Sequence, residues 1–364
     1  MNKKIAMFIP NMNIGGAEKV ALNLCREFLN SNIEVDLILL KKKGKYLKQI
    51  PSDVNIVDLN CNRSIKSIPK LMRYINNSDI NCLISFLPHM NIAAIIAKKL
   101  SKKKIKLVVT EHSPIIRKDI NTLKRKINLK LMKYLYRYAD NIITVSNSIK
   151  LELLSISNIE EEKIKVIYNP IIDKELLNKS DEIIDDNFYK SNRKYNIIAV
   201  GRLERCKNFN ILIESVKDIL QEKDMRLIII GDGEERKNLQ EMIDKYKLNN
   251  YIKLTGFLDN PYPYMKKSNI LVLPSSIEGF GNVLVEGMAC GCQLISTVDS
   301  GGPKEILDNG KYGRLVKSND IDGLRNSILE TMNSPIHPSL MNKRCEDFKS
   351  FNITQKYLST INEL

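Results

Sequence analysis

The segment Glu278-Gly279-Phe280-Gly281-Asn282-Val283-Leu284-Val285-Glu286 places two carboxylates and two glycines close together. It follows an apolar run, Ile270 to Leu273, and the turn residues Pro274-Ser275-Ser276. Asn282 reads as the N-cap of a helix that runs to Cys290, with Gly291 as its stop. Gly279 and Gly281 expose backbone N–H groups at that helix start, an arrangement that favours an anion. Glu278 on the loop and Glu286 one turn into the helix would flank it. Carboxylates there suit the hydroxyls of a sugar or ribose, whereas a bare phosphate would be repelled.

Three more groups have the same character. Val200-Gly201-Arg202-Leu203-Glu204-Arg205-Cys206-Lys207 carries a strand into a glycine and then into cations ahead of a helix. Arg202, as a planar fork, and Lys207, as a point charge, suit the oxygens of a pyrophosphate; a solvated basic loop explains these residues equally well. Gly15 and Gly16 end the loop after the first apolar run and open a helix. Backbone there can approach a sugar or phosphate. Without a Gly-x-Gly-x-x-Gly or Walker pattern, it also reads as an ordinary strand-to-helix turn. His112 follows the apolar run Lys106 to Thr110, at a strand's carboxyl end, where it is either functional or a satisfied core histidine.

Such loops need strands behind them. Strands are expected at Lys4 to Ile9, Glu34 to Leu40, Asn81 to Phe86, Lys106 to Thr110 and Asn141 to Val145, with helical sequence between most of them. The pattern restarts after Tyr168-Asn169-Pro170. A second series follows at Asn196 to Val200, Arg226 to Ile230, Tyr251 to Leu254, Ile270 to Leu273 and Gln293 to Ser296. Apolar runs separated by helices imply parallel sheets, and two series imply two doubly wound α/β domains. The expected division is residues 1–170, then 171–347, with 348–364 a C-terminal helix that packs back on the first domain. The boundary is the polar segment from Ile171 to Lys194, which includes Asp185-Asp186-Asn187 and Ser191-Asn192.

The charge is one-sided. Residues before Ile171 carry 30 Lys and Arg against 14 Asp and Glu; the remainder carries 27 against 28. The net +15 therefore sits in the first half and points to an anionic partner there. Zinc-finger spacing and RNA-recognition signatures are absent, so nucleic acid is not the expected partner. Seven scattered cysteines suit reduced thiols in a cytosolic protein. No apolar run is long enough to span a bilayer, so any membrane role is peripheral.

Taken in order, these motifs resemble retaining glycosyltransferases of family 4, which have the GT-B architecture of two Rossmann-like domains facing across a cleft. The resemblance covers essentially the whole chain. It includes Gly15-Gly16-Ala17-Glu18, Glu111-His112, Val145-Ser146, Asn169-Pro170, Gly201-Arg202-Leu203 with Lys207, Gly231-Asp232-Gly233 and Gly256-Phe257. It continues through Glu278 and Glu286 as a Glu-x7-Glu signature, Ser300-Gly301-Gly302-Pro303 with Glu305, and Gly310 with Gly313.

The resemblance implies roles. Arg202 and Lys207 neutralise the leaving pyrophosphate beside Gly201. Glu278 holds donor-sugar hydroxyls and Glu286 the ribose. Backbone at Gly15, Gly16, Phe280, Gly281 and Asn282 binds sugar and phosphate, and backbone near Leu258 reads the base. His112 touches the sugar or the reacting centre. His112, Arg202, Lys207 and Glu278 form the expected catalytic set, with no protein nucleophile. The donor is a UDP-linked hexose or N-acetylhexosamine, and the acceptor a lipid-linked glycan of bacterial surface polysaccharide synthesis. The expected place of work is the cytoplasmic face of the cell membrane. No cofactor or metal is implied; Asp320-Ile321-Asp322 resembles a metal motif, but capping of the following helix explains it. Rival readings are a GT-B epimerase or phosphorylase, or a basic nucleic-acid-binding protein.

The stretch Arg117 to Ala139 adds a basic helix. Lys126, Lys130, Lys133 and Arg137 form one stripe. Ile120, Leu123, Ile127, Leu131, Tyr134 and Tyr138 form another, about 100° away at 3.6 residues per turn. The cations are expected to meet an anionic membrane or an acceptor pyrophosphate. The apolar stripe is expected to dock into the core, with insertion into a membrane surface as the alternative.

Overall fold

Short runs of Ile, Leu and Val buried on both faces build two parallel sheets, as this residue pattern requires. The computed structural model describes residues 4–116, 122–190 and 193–363. The chain divides into two compact units, one of Met1–Ile171 with Ser350–Leu364, the other of Ile172–Lys349.

The first unit contains β1 (Lys4–Ile9), β2 (Glu34–Leu39), β3 (Asn55–Asp58), β4 (Cys82–Phe86), β5 (Lys106–Glu111), β6 (Asn141–Thr144) and β7 (Ile164–Val166). They lie in the order β3-β2-β1-β4-β5-β6-β7, all parallel. The order reverses direction at β1 and β4, so the loops beyond their carboxyl ends diverge and leave a crevice for a ligand. The helices between the strands include α1 (Gly16–Asn30), α2 (Ser64–Asn77), α3 (Pro88–Leu100) and α4 (Leu123–Leu135). The C-terminal helix Ser350–Asn362 joins this unit: Ile353, Tyr357 and Ile361 share a core with β1 and α1.

The second unit contains β8 (Tyr195–Val200), β9 (Met225–Ile230), β10 (Ile252–Gly256), β11 (Ile270–Leu273), β12 (Gln293–Thr297) and β13 (Arg314–Val316). They lie in the order β10-β9-β8-β11-β12-β13, again all parallel, with the reversal at β8 and β11. Among the described residues, no helix is long and apolar enough to cross a membrane.

The basic helix departs from expectation. Its first residues, 117–121, with Arg117 and Ile120, lie outside the described residues, as does Ser191-Asn192 of the boundary segment. From Leu123 onward the stripe assigned to the core faces solvent: Leu123, Ile127, Leu131, Tyr134 and Tyr138 are all exposed. The buried side chains are Met132 and Tyr136, on the opposite side. This narrower face wins because Glu111 and Asn91 supply polar partners for the Tyr136 hydroxyl, so the ring can be buried whole. Lys126, Lys130, Lys133 and Arg137 are exposed beside the apolar row.

Candidate active site

In the second unit, Gly201 ends β8 and a short 3-10 turn, Arg205–Lys207, leads into the helix Phe209–Val216. Gly231 has φ +143, and a Cβ there would lie 1.8 Å from the Gly201 carbonyl oxygen. The two strand ends therefore meet backbone to backbone, which only glycine permits. Lys207 donates a hydrogen bond to Glu278, and the two side chains are only 16% and 13% exposed. Arg202 is 74% exposed and pairs with Glu204 at 2.5 Å.

The loop after β11 is held from both sides. The Asn208 amide donates to the Pro274 carbonyl, Ser276 N–H donates to the Cys206 carbonyl, and the Ser300 and Thr297 hydroxyls donate to the Ser275 carbonyl. Gly281, at φ +97, is the N-cap of the helix Asn282–Ala289. Asn282 is thus the first helical residue and not the cap, because Gly281 takes the left-handed conformation that an Asn side chain would otherwise have to support. Phe280 is buried edge-on against Phe348 at 6.0 Å. Its main chain is crossed by Gly302, where a Cβ would stand 2.4 Å from the Phe280 Cα. The loops after β8, β11 and β12 are thus tied together around one helix start, a preorganised cradle for an anion. Glu286 accepts from the Tyr262 hydroxyl at 3.4 Å, and Leu258 is half-buried beyond β10. Asp320 caps the helix Ile321–Asn333 through Gly323 N–H at 2.8 Å.

His112 belongs to the first unit, directly after β5. Its Nε2 lies 2.9 Å from Thr110 Oγ1 and its ring stacks on Phe86 at 5.5 Å. Burial pushes the imidazole down to about 4, with the Asn169 side chain acting the other way. The ring is therefore neutral near pH 7 and acts as a hydrogen-bonding group, not as a cation. Asn169 is a residue that sequence reasoning passed over as punctuation; its place in an Asn-Pro pair after a short strand was the only signal.

Glu111, next to it, was named only as part of the Glu111-His112 pair, with no role of its own. It is fully buried, accepts from the Tyr136 hydroxyl and from Asn91 Nδ2 at 2.9 Å, and burial pushes its carboxyl up to about 7 against those bonds. At the other strand end, Gly15 caps α1 without a side-chain bond. The Glu18 carboxylate stands 2.3 Å from where a Gly15 Cβ would be. The turn thus presents a carboxylate together with the N–H groups at Gly16, a combination suited to sugar hydroxyls rather than to a phosphate.

Two all-parallel Rossmann-like sheets, with ligand-facing loops at each order reversal, are the architecture of the GT-B glycosyltransferases. Residues 14–175 match the family described as Glycosyltransferase Family 4, and residues 180–349 match Glycosyl transferases group 1. An N-acetylgalactosamine-N,N'-diacetylbacillosaminyl-diphospho-undecaprenol 4-alpha-N-acetylgalactosaminyltransferase of Campylobacter jejuni is 30% identical over 327 residues, 86% of each chain. The amylovoran biosynthesis glycosyltransferase AmsD of Erwinia amylovora is 26% identical, with 85% of this chain and 84% of that one aligned. Among solved structures, Anabaena HepE in complex with UDP and glucose superposes with a TM-score of 0.83 over 100% of both chains at 21% identity. The lipopolysaccharide outer core galactosyltransferase WaaB superposes with a TM-score of 0.75 over 99% of both chains at 20% identity. The chain belongs to glycosyltransferase family 4.

Proposed function

We propose that the chain transfers a hexose or N-acetylhexosamine from a UDP-sugar to a lipid-linked glycan, with retention at the anomeric carbon and without a metal ion. The observation that carries this is the Lys207–Glu278 pair beside the Gly281 helix start: one cation and one carboxylate, largely buried, at the sheet's order reversal. Lys207 and Arg202 suit the diphosphate, which gains charge as the anomeric C–O bond breaks. Glu278 suits the sugar hydroxyls and Glu286 the ribose. Positively charged side chains aimed at a leaving group stabilise the transition state more than the ground state. Relatives named for undecaprenol-linked substrates and a neighbour holding UDP support the choice of both substrates.

The exposed apolar row of α4 beside Lys126, Lys130, Lys133 and Arg137 suits a membrane surface better than a purely solvated helix, and it supports the reading that the chain works at the inner face of the cell membrane. A panel of nucleotide sugars scored by thermal shift tests the donor. Transfer from the best binder to an undecaprenyl-diphosphate-linked saccharide tests the acceptor. A chain that binds no UDP-sugar, or binds one and converts it to an epimer, would overturn the reading.

A further inference from the structure

The first unit carries a pocket of about 610 Å³ lined by Pro10 and Asn11 after β1, Lys41 and Lys43 after β2, Arg63 and Ser64 at the start of α2, and His89 in the first turn of α3. It sits at the carboxyl ends of β2, β1 and β4, where the strand order reverses. Such crevices are where open parallel sheets take ligands, and the volume is that of a small-molecule site. No Asp or Glu lines it. Among the described residues, no carboxylate forms an ion pair with Lys41, Lys43 or Arg63. The second unit differs, since Arg202 and Lys207 there face Glu204 and Glu278.

The pocket's frame is fixed before any ligand arrives. Met12 N–H donates to the Lys43 carbonyl at 2.8 Å, Tyr46 N–H to the Met12 carbonyl at 3.0 Å, and Lys41 N–H to the Pro10 carbonyl at 3.2 Å. Gly44 makes this approach possible: it has φ +120, and a Cβ would stand 2.0 Å from the Met12 carbonyl carbon. Cys61 N–H donates to the Leu40 carbonyl at 2.7 Å, which draws Arg63 to the same rim. Three cations without counter-charge on a rigid frame attract and hold an oxyanion.

We propose that this pocket binds an oxyanion group of the acceptor: a phosphate, a diphosphate or a carboxylate. The assignment to the acceptor rests on the transferase reading above, in which the side chains proposed for the diphosphate, sugar hydroxyls and ribose (Arg202, Lys207, Glu278 and Glu286) lie in the second unit, and none of the first-unit residues given to the donor (Gly15, Gly16 and His112) lines this pocket. The acceptor is thus recognised through a charged group, in addition to the hydroxyl that receives the sugar.

Calorimetric titration of the full chain, with UDP in excess to fill the donor site, tests this. Phosphate, pyrophosphate, glucuronate and glucose are the probes. At least one anion binds and glucose does not; Lys43→Ala combined with Arg63→Ala weakens that binding at least tenfold. Both side chains are exposed, so the variant keeps the wild-type melting temperature and UDP affinity. Pyrophosphate bound tenfold more tightly than glucuronate assigns the diphosphate of a lipid carrier, and the reverse assigns a uronic sugar. No anion binding, or binding unchanged in the variant, overturns the proposal. Failure of the wild-type chain to bind UDP would count against the donor reading alone, because the comparison of wild type and variant still decides the pocket.

Discussion

Lys207 donates a hydrogen bond to Glu278 across 71 positions of sequence, and each neutralises the other in a largely buried setting. The pair joins the β8 edge to the β11 edge at the point where the strand order reverses. In the proposed reaction the two partners have different substrates to meet, diphosphate for Lys207 and sugar hydroxyls for Glu278, so their variants should fail differently. Lys207→Ala removes a charge-assisted bond worth about 1.5–3 kcal/mol, a loss of roughly 10- to 140-fold at about 1.4 kcal/mol per decade. It should weaken UDP and UDP-sugar alike. Glu278→Gln should leave UDP binding near wild type and lower affinity and turnover for the UDP-sugar. Arg202→Ala should follow the Lys207 pattern. Competition binding with UDP and the UDP-sugar on the same variants reads this directly, and equal losses for both ligands in Glu278→Gln would remove it from the sugar site.

Turnover should persist in excess EDTA. In the proposed reaction the cations at Arg202 and Lys207 take the charge that a divalent ion takes in other transferases. An initial-rate assay with and without chelator checks it. Activity abolished by EDTA and restored by magnesium or manganese would show that a metal ion shares the diphosphate.

Much of this was legible in the sequence because the physics is local. Continuous apolar runs such as Leu227–Ile230 suit strands buried on both faces, and glycines at their ends mark close approaches. β3, β7 and β13 escaped, since Asn55–Asp58, Ile164–Val166 and Arg314–Val316 are three or four residues long, include polar side chains, and become strands only through the neighbour they pair with. The α4 stripe was misread for a related reason. Periodicity picks out the longer apolar row, but it does not show that the shorter one, Met132 and Tyr136, is the one that finds a partner. Here the partner was a carboxylate, Glu111, meeting Tyr136 from the end of β5, 25 positions earlier in the chain. The neutral state of His112 was likewise hidden, because it follows from burial against Phe86 and not from any motif.

That corner gives a pH signature with two opposite slopes. The Glu111 carboxyl is raised from an ordinary 4.5 to about 7. The folded state then holds a proton that the unfolded state has released, so the Glu111 contribution is complete below about 4.5 and is lost as pH rises through about 7. His112 is lowered from 6.5 to about 4; its contribution is complete above about 6.5 and is lost as pH falls through about 4. The melting-temperature difference between wild type and Glu111→Gln should therefore fall between about pH 4.5 and 7. For His112→Gln it should fall between about pH 7 and 4. Melts across that range decide it; a difference that stays flat for Glu111→Gln would mean that the carboxyl titrates in its ordinary range.

The surface of α4 makes the last prediction, and it separates two uses of the same cations. Lys126, Lys130, Lys133 and Arg137 are exposed, and Leu123, Ile127, Leu131 and Tyr134 are exposed beside them. Each cation near an anionic bilayer contributes about 1 kcal/mol, and the apolar row adds burial in the headgroup region. Charge reversal at the four basic positions should abolish sedimentation with anionic vesicles, and high salt should release the wild type. Leu123→Ser with Ile127→Ser should weaken vesicle binding while keeping its salt dependence, because it removes the inserted row and leaves the charge. UDP affinity should not change in either variant, since the side chains proposed for the diphosphate and ribose, Arg202, Lys207 and Glu286, lie in the second unit. If the cations instead hold the diphosphate of a lipid acceptor, charge reversal should abolish transfer in detergent micelles, where no bilayer exists, and the two serine substitutions should not. Full transfer in detergent together with lost vesicle binding assigns the helix to the membrane. Unchanged vesicle binding and unchanged transfer in all variants would leave it a solvated face and sink both uses.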